Sequence, residues 1–129
     1  MKDFAIRMTH KPGELARVAT ALARYGVNVK SLAALAMDGH ALVHILPDEE
    51  EAARAALTAS GIAFDETEVV TVLLENRAGE IARVTARLGD ARVNLRAIYV
   101  TGVVDNLVEL AIVAGDAARV REAMADTQQ

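Results

Sequence analysis

The hydrophobic pattern at the start of the chain predicts a strand followed by a helix. Phe4, Ile6 and Met8 alternate with smaller or charged residues, the period of two that is typical of a strand with one buried face. A helix is expected next, because Pro12 suits a first turn and Gly26 suits a left-handed stop. The apolar residues at helical spacing between them are Leu15, Val18, Leu22 and Tyr25.

A β-hairpin is predicted after this helix. Residues 27–36 and 41–46 are expected to be its strands, because the Asp38-Gly39 pair between them is a hairpin turn signal. Pro47 then ends the second strand of the hairpin.

The pattern next predicts a second helix and a short strand. Asp48 and Glu51 form a capping-box pattern, which marks the start of a helix. Gly61 closes that helix, and residues 62–64 are expected to form a fourth strand. The first half therefore has the predicted order β-α-β-β-α-β.

The second half of the chain repeats the first. Residues 11–18 match residues 77–84 at an offset of 66, and residues 27–32 match residues 93–98 at the same offset. Later matches have an offset of 67, so one residue has been added near residues 101–106. Insertions of that kind are expected in a loop.

The second repeat is predicted to contain three strands and two helices. Its first helix is expected to end early at Gly89-Asp90, because Arg92 stands where the first repeat has Gly26. Asp116 is expected to cap the last helix. The predicted strands cover residues 68–74, 93–100 and 107–113, and the first helix covers residues 79–88.

The end of the chain, residues 124–129, is too short and polar to supply a fourth strand. The edge of residues 69–74 would then be bare, so we expect another element or a second copy of the chain to cover it, most simply as a homodimer. The predicted fold class is α+β, with two ferredoxin-like βαββαβ repeats over residues 1–67 and 68–129, the second lacking a clear fourth strand.

Composition narrows the possible functions. A formal charge of −4, a pI near 5.3 and only 3% aromatic residues argue against nucleic-acid binding. The absence of cysteine excludes disulfides, thiolate zinc sites and cysteine nucleophiles. No apolar run is long enough for a membrane helix and the first residues include acid and base, so we expect a cytoplasmic protein without a signal peptide.

The sequence offers no catalytic or metal-binding cluster. His40 and His44 lie in a predicted strand, where four residues span about 13 Å, too far for one metal ion to bridge. The chain has no glycine-rich phosphate loop of the Walker or Rossmann type. We therefore expect no metal and no cofactor, and we name no catalytic residue, although a spatial Ser-His-Asp triad is not recognisable from sequence.

The repeated signature resembles the ACT domain. In the first copy a strand is followed by a turn with the pattern x-x-Pro-Gly-x-Leu-x-x-Val, then by a helix, and then by Val-Asn-Val at the start of the next strand. The second copy keeps the pattern with Ala78 for proline, Ile81 for leucine and Leu95 for the last valine. The whole chain is similar to small stand-alone tandem ACT proteins. The resemblance implies ferredoxin-like modules that pair side by side, and many ACT domains bind an amino acid at the seam as a regulatory signal.

The turns of both repeats offer suitable chemistry for a zwitterion. Unpaired N–H groups and the positive end of a helix dipole meet at residues 12–15 and 78–81, where a carboxylate can bind. Asparagine adds a donor and an acceptor without burying a charge. In amino-acid-binding relatives, an Asn before the turn works with the Asn that begins the second strand of the partner domain, which implies Asn76 with Asn28.

The other half of the seam would use His10 and Asn94, and His10 departs from the Asn or Asp usual in the family. We therefore rank the Asn76 half-site above the His10 half-site. The complete set of predicted ligand-binding residues is Asn76, Gly79, Glu80, Ile81, Asn28, Val29, His10, Gly13, Leu15 and Asn94.

The predicted function is a non-enzymatic regulatory protein that binds a small amino acid between its two ACT-like domains. Its expected partners are that ligand, a second copy of the chain and a regulated protein. The alternative is an interaction module with no ligand, in which the turn glycines and asparagines only shape and tie loops. A small enzyme is a third class, for which the sequence names no cluster of acids or bases.

Overall fold

A computed structural model describes residues 1–125, which form six strands and four helices of an α+β fold with antiparallel pairing. The predicted lack of a final strand at residues 126–129 lies outside the described residues. Among the helices of this described part, none has the length and hydropathy of a transmembrane segment. The elements are β1 Lys2–Thr9, α1 Glu14–Arg24, β2 Val29–Met37, β3 His40–Pro47, α2 Glu50–Ala59, β4 Asp65–Glu75, α3 Glu80–Asp90, β5 Leu95–Val104, β6 Leu107–Ala114 and α4 Ala117–Met124.

The chain divides into two compact units, the first being Met1–Thr67. In this unit β3 pairs with β1 and with β2, so the strand order is β2-β3-β1. The alternation predicted for the first strand is confirmed, because Phe4, Ile6 and Met8 are buried. They form one core with residues of β3, α1 and α2, namely Val43, Ile45, Val18, Ala21, Leu22, Ala53, Ala56 and Leu57.

Helix α1 buries a narrower stripe than its sequence predicts. Val18 and Leu22 are buried, but Leu15 on the first turn and Tyr25 just after the helix are 38% and 48% exposed. Gly26 has a φ of 70°, which confirms the predicted left-handed stop. The exposed Leu15 therefore stays available at the start of the helix.

The capping box predicted for α2 is wrong. Glu49 is the N-cap of α2 and its side chain makes no capping hydrogen bond. The Asp48 carboxylate instead accepts a hydrogen bond from the backbone N–H of Asn28 at 3.0 Å, and the Asp48 N–H donates to the Asn28 carbonyl at 2.9 Å. The side chain expected to begin a helix thus ties that helix to the start of β2.

The fourth strand predicted at residues 62–64 is also wrong. Gly61 ends α2 in the left-handed region, and the N–H of Ile62 donates to the carbonyl of Leu57 at 2.9 Å. The backbone at Ile62 therefore completes a helix end and is not available for a strand ladder. The next strand is β4, which begins at Asp65.

Helix α2 is joined to the beginning of β4 by a two-pronged ion pair. The Arg54 guanidinium donates two hydrogen bonds to the Glu66 carboxylate, at 2.7 and 2.6 Å. These bonds hold the pKa of Glu66 below its usual range, despite partial burial that acts in the opposite direction.

The second unit begins at Glu68 and has the strand order β4-β6-β5. Within it α3 ends at Asp90, in the predicted Gly89-Asp90 stop, but it is not shorter than its counterpart as predicted, because α1 ends at the matching Arg24. Arg92 adopts the left-handed φ of 58° that Gly26 supplies in the first unit. The final helix begins as predicted, since the Asp116 side chain accepts a hydrogen bond from the N–H of Arg119.

The added residue of the second repeat lies in a strand and not in a loop, contrary to expectation. The pairing of β5 with β6 shifts between Val100 and Gly102, so Thr101 is an extra residue at a β-bulge. Its hydroxyl donates hydrogen bonds to the backbone and carboxylate oxygens of Glu109. These bonds give the bulged residue a partner. Because the extra residue lies in the strand, the turn between β5 and β6 keeps its two-residue length.

Candidate functional site

The turns between the first strand and the first helix of each unit have the same conformation. Gly13 has φ 90° and ψ −13°, and Gly79 has φ 92° and ψ −15°. Residues with a Cβ rarely adopt this region, so glycine is required at both positions. Each glycine is the N-cap of its helix, and neither helix receives a side-chain cap.

Because no side chain caps α1 and α3, their first N–H groups remain available. Within residues 1–125 no hydrogen bond engages the N–H groups of Leu15 and Ala16, or those of Ile81 and Ala82. Such groups carry the positive end of the helix dipole. The two turns therefore have the chemistry of anion sites.

A pocket of about 300 Å³ lies beside the first of these turns. The predicted residues His10, Gly13 and Leu15 all line it. Its other lining residues are Met8, Thr9, Lys11, Glu14, Ala16, Ala34, Leu35, Ala36, Ala41 and Val43. The structure thus brings three predicted residues together in one apolar pocket that ends at unpartnered N–H groups.

Three alanines create the space of this pocket. Ala34 pairs with Val43 and Ala36 pairs with Ala41 across β2 and β3. The matching pairs of the second unit are larger, Val100 with Leu110 and Val103 with Val108. The hydrophobic pattern of the sequence does not single out Ala34, Ala36 and Ala41, but their larger counterparts in the second repeat distinguish them.

An acidic residue follows each turn glycine and is held by basic residues of its own turn. The Glu14 carboxylate contacts Arg17 and Lys11 at 3.4 and 3.9 Å. Its counterpart Glu80 is buried and contacts Arg83 at 2.9 Å and Arg77 at 3.6 Å. The hydrogen bond from Arg83, together with Arg77, holds the pKa of Glu80 below its usual range. The carboxylate of Glu80 is therefore ionised and already engaged.

The predicted asparagines present exposed side chains. No hydrogen bond in the described chain engages the side-chain amides of Asn28, Asn76 or Asn94. The backbones of Asn28 and Asn76 tie loops, as in the bond from the Asn76 N–H to the Asn106 carbonyl at 2.8 Å. His10 makes the equivalent bond to Gly39 at 3.0 Å. The amides are thus not used as structural ties within residues 1–125.

The remaining predicted residues occupy different surroundings. Val29 packs against the core of the first unit, and Ile81 is 51% exposed on the first turn of α3. Asn94 lines a cleft of the second unit that is described below. The pairing of Asn76 with Asn28, and that of His10 with Asn94, stay predictions.

A buried polar pair was not anticipated from the sequence. Asp3 is fully buried, and its two carboxylate oxygens lie 3.0 and 3.1 Å from Nδ1 of His44. The second repeat has Val69 and Ala111 at the matching positions, both buried. No group of three or more His, Asp or Glu side chains that could hold a metal occurs in residues 1–125.

Comparison with known proteins shows the fold. No family model and no curated protein matches the chain. A crystal structure of a protein from Bacteroides thetaiotaomicron is 22% identical, with a TM-score of 0.84 over 97% of this chain and 86% of that one. The regulatory subunits of aspartate kinase from Thermus thermophilus and Thermus flavus are each 16% identical, with TM-scores of 0.65 over 99% of this chain and 92% of theirs. These likenesses support the ACT fold.

Proposed function

We propose that the protein is a non-enzymatic regulatory protein that binds a small amino acid at a strand–helix turn. The carboxylate of the amino acid accepts hydrogen bonds from the first N–H groups of the helix, and its side chain enters the adjoining apolar pocket. Binding then alters the pairing of this protein with a regulated partner. Regulatory subunits of aspartate kinase share the fold, which is consistent with such a role.

One observation carries this proposal. In the first unit, Leu15 and Ala16 line the 300 Å³ pocket. Within residues 1–125, no group accepts a hydrogen bond from their N–H groups. A free amino acid needs donors for its carboxylate, acceptors for its ammonium group and room for its side chain. Glu14 and His10 supply acceptors at the same pocket.

A thermal-shift screen against the common amino acids at millimolar concentration tests the proposal. A bound ligand stabilises the native state by mass action, so we expect at least one amino acid to raise the melting temperature. The double variant Ala34→Val, Ala36→Val introduces the valines that the second unit has at the matching positions, Val100 and Val103, and these side chains fill the pocket. We expect it to remain folded and to lose the shift.

The matched control is the reverse exchange in the second unit, Val100→Ala with Val103→Ala, which should keep the shift. The Asn76→Ala protein tests the other predicted half-site, because Asn76 does not line this pocket. Loss of the shift in this protein, with retention of the shift in the pocket-filling variant, would assign the ligand to the Asn76 half-site. Failure of every amino acid to raise the melting temperature would contradict the proposal. A shift kept by the pocket-filling variant would contradict the assignment to this pocket.

We also propose that the protein self-associates, most simply as a homodimer, through an exposed apolar face of the first unit. Strand alternation puts Leu35, Met37 and Leu42 on the sheet face opposite Val43 and Ile45, and the first two are 63% and 65% exposed. Exposed clusters of this kind mark interaction surfaces.

Light scattering coupled to size-exclusion chromatography tests the self-association. We expect a mass of two chains for the wild type and of one chain for Leu35→Lys, because the charge opposes burial of the face. The exposed and charged Arg24→Glu variant serves as a control and should retain the wild-type mass. A monodisperse monomer of the wild-type protein would contradict this part of the proposal.

A further inference from the structure

A basic cleft of about 380 Å³ lies in the second unit between the end of α3 and the start of α4. Arg92, Arg96 and Arg119 line it together with Asn94. Asp116 also lines the cleft; its carboxylate caps α4 through the N–H of Arg119 and lies 3.8 Å from Nε of the same arginine. With three arginines and one carboxylate, the cleft is basic in a protein whose formal charge is −4.

The first unit has a carboxylate at the equivalent place in the fold. There the Asp48 carboxylate accepts the N–H of Asn28 at 3.0 Å. The matching residues of the second unit are Gly115 and Asn94. Among the described residues, no acceptor engages the Asn94 N–H. The second unit thus keeps the donor and lacks the carboxylate that satisfies it in the first.

The other differences between the units at this place also favour an anion. Arg92 replaces Gly26, Arg119 replaces Ala52, and glycine replaces Asp48. The first two differences each add a positive charge, and the third removes a negative one. The fold itself does not require them, because the first unit has the same elements without them.

Arg92 provides an independent indication of function. Its φ of 58° is a left-handed conformation that costs an L-residue about 1 kcal/mol, and the first unit uses glycine there. No hydrogen bond or ion pair joins its guanidinium to another residue of the described chain. The backbone of Arg92 helps to end α3, because its N–H donates to the carbonyl of Gly89 at 3.0 Å, so the fold requires the conformation but not the arginine side chain. An arginine at a position that favours glycine, with no contact of its guanidinium in the described chain, points to a role in binding.

We infer that this cleft binds a phosphate group of a small molecule. One phosphate oxygen takes the place of the Asp48 carboxylate oxygen and accepts the N–H of Asn94. The guanidinium groups of Arg92 and Arg119 bind the other oxygens, since arginine matches phosphate geometry with paired donors. A phosphate carries more charge than a carboxylate at neutral pH, which suits a cleft with three arginines.

Isothermal titration calorimetry with orthophosphate, pyrophosphate and ATP, at constant ionic strength, tests the inference. We expect pyrophosphate or ATP to bind the wild-type protein. The Arg92→Gly protein should bind roughly tenfold more weakly, because one charge-assisted contact is lost. The same substitution should raise the melting temperature by relieving the strained φ, so weaker binding would not reflect misfolding.

The variant Gly115→Asp reproduces the first unit and supplies its own carboxylate to Asn94. A Cβ at this position would meet only the end of the Arg96 side chain, at 3.3 Å, which can move. We expect this protein to fold and to show no measurable phosphate binding. Arg24→Gln removes an exposed arginine of the first unit and should leave binding within about twofold of the wild type.

The three probes also distinguish the possible sources of the phosphate group. Tighter binding of ATP than of pyrophosphate indicates a nucleotide, and equal binding indicates recognition of the phosphate groups alone. Absence of binding by all three probes, unchanged binding in Gly115→Asp, or equal weakening in Arg24→Gln would overturn the inference. The inference would also be overturned if the protein bound a single-stranded oligonucleotide but bound none of the three probes. The residues that line the amino-acid pocket belong to the first unit, so Arg92→Gly, which leaves Asn94 unchanged, should not change the amino-acid thermal shift.

Discussion

Replacing His44 with alanine is expected to lower the free energy of unfolding by about 3 kcal/mol, because the substitution takes a polar partner from a buried carboxylate. Asp3 has no exposed surface, and both of its carboxylate oxygens lie within 3.1 Å of Nδ1 of His44. Water cannot replace the lost contact without entering the unit. Urea denaturation of the two proteins measures the difference.

The second unit supplies a matched control for this prediction. Val69 and Ala111 stand at the positions of Asp3 and His44, and both are buried. The double variant Asp3→Val, His44→Ala therefore replaces the pair by an apolar combination that this fold already accommodates. We expect its stability to lie within about 1 kcal/mol of the wild type. A double variant as unstable as His44→Ala would show that His44 contributes through contacts other than Asp3.

Valine at Gly13 or at Gly79 is expected to destabilise the protein by about 2 kcal/mol, and by a similar amount at each position. A Cβ at either glycine would meet no atom within 4 Å, so the cost comes from the backbone and not from a clash. The two φ values, 90° and 92°, are strongly unfavourable for a β-branched residue. Thermal unfolding of the single variants measures the cost.

Gly102→Val is the control for the turn glycines. Gly102 also has no atom within 4 Å of a built Cβ, but it lies in β5 without a positive φ. Valine suits a strand, so we expect a change within about 0.5 kcal/mol. If the turn variants were as stable as Gly102→Val, the turns would have relaxed to another conformation, and the amino-acid thermal shift should then be lost in Gly13→Val.

Local patterns predicted most elements because their signals lie within a few residues. The alternation of Phe4, Ile6 and Met8 and the left-handed stop at Gly26 depend only on backbone geometry and one buried face. The errors arose where distant contacts competed with local preference. Asp48 has the sequence of a helix cap, yet its carboxylate bonds to Asn28, twenty residues away in the chain. Sequence spacing does not reveal such competition.

The candidate sites divide in the same way. The sequence alone identified the turns and their glycines, because the same spacing of residues occurs in both repeats. It did not identify the pocket, because the pocket depends on which small side chains of β2 and β3 face the turn. It likewise did not identify the basic cleft, because Arg119 lies in α4, far along the chain from Arg92 and Arg96.

The amino-acid sequence by itself determined that this protein consists of two similar halves, that each turn requires glycine, and that folding depends on packing without disulfides or metal-thiolate sites. Periodicity and residue type decide these features, because they act over a few neighbouring residues. Only the tertiary structure decided that Ala34 and Ala36 leave a pocket, that Asp3 meets His44, and that Gly115 leaves the N–H of Asn94 without a carboxylate. Those features depend on the packing of segments far apart in the chain, which sets the distances that local preferences leave open.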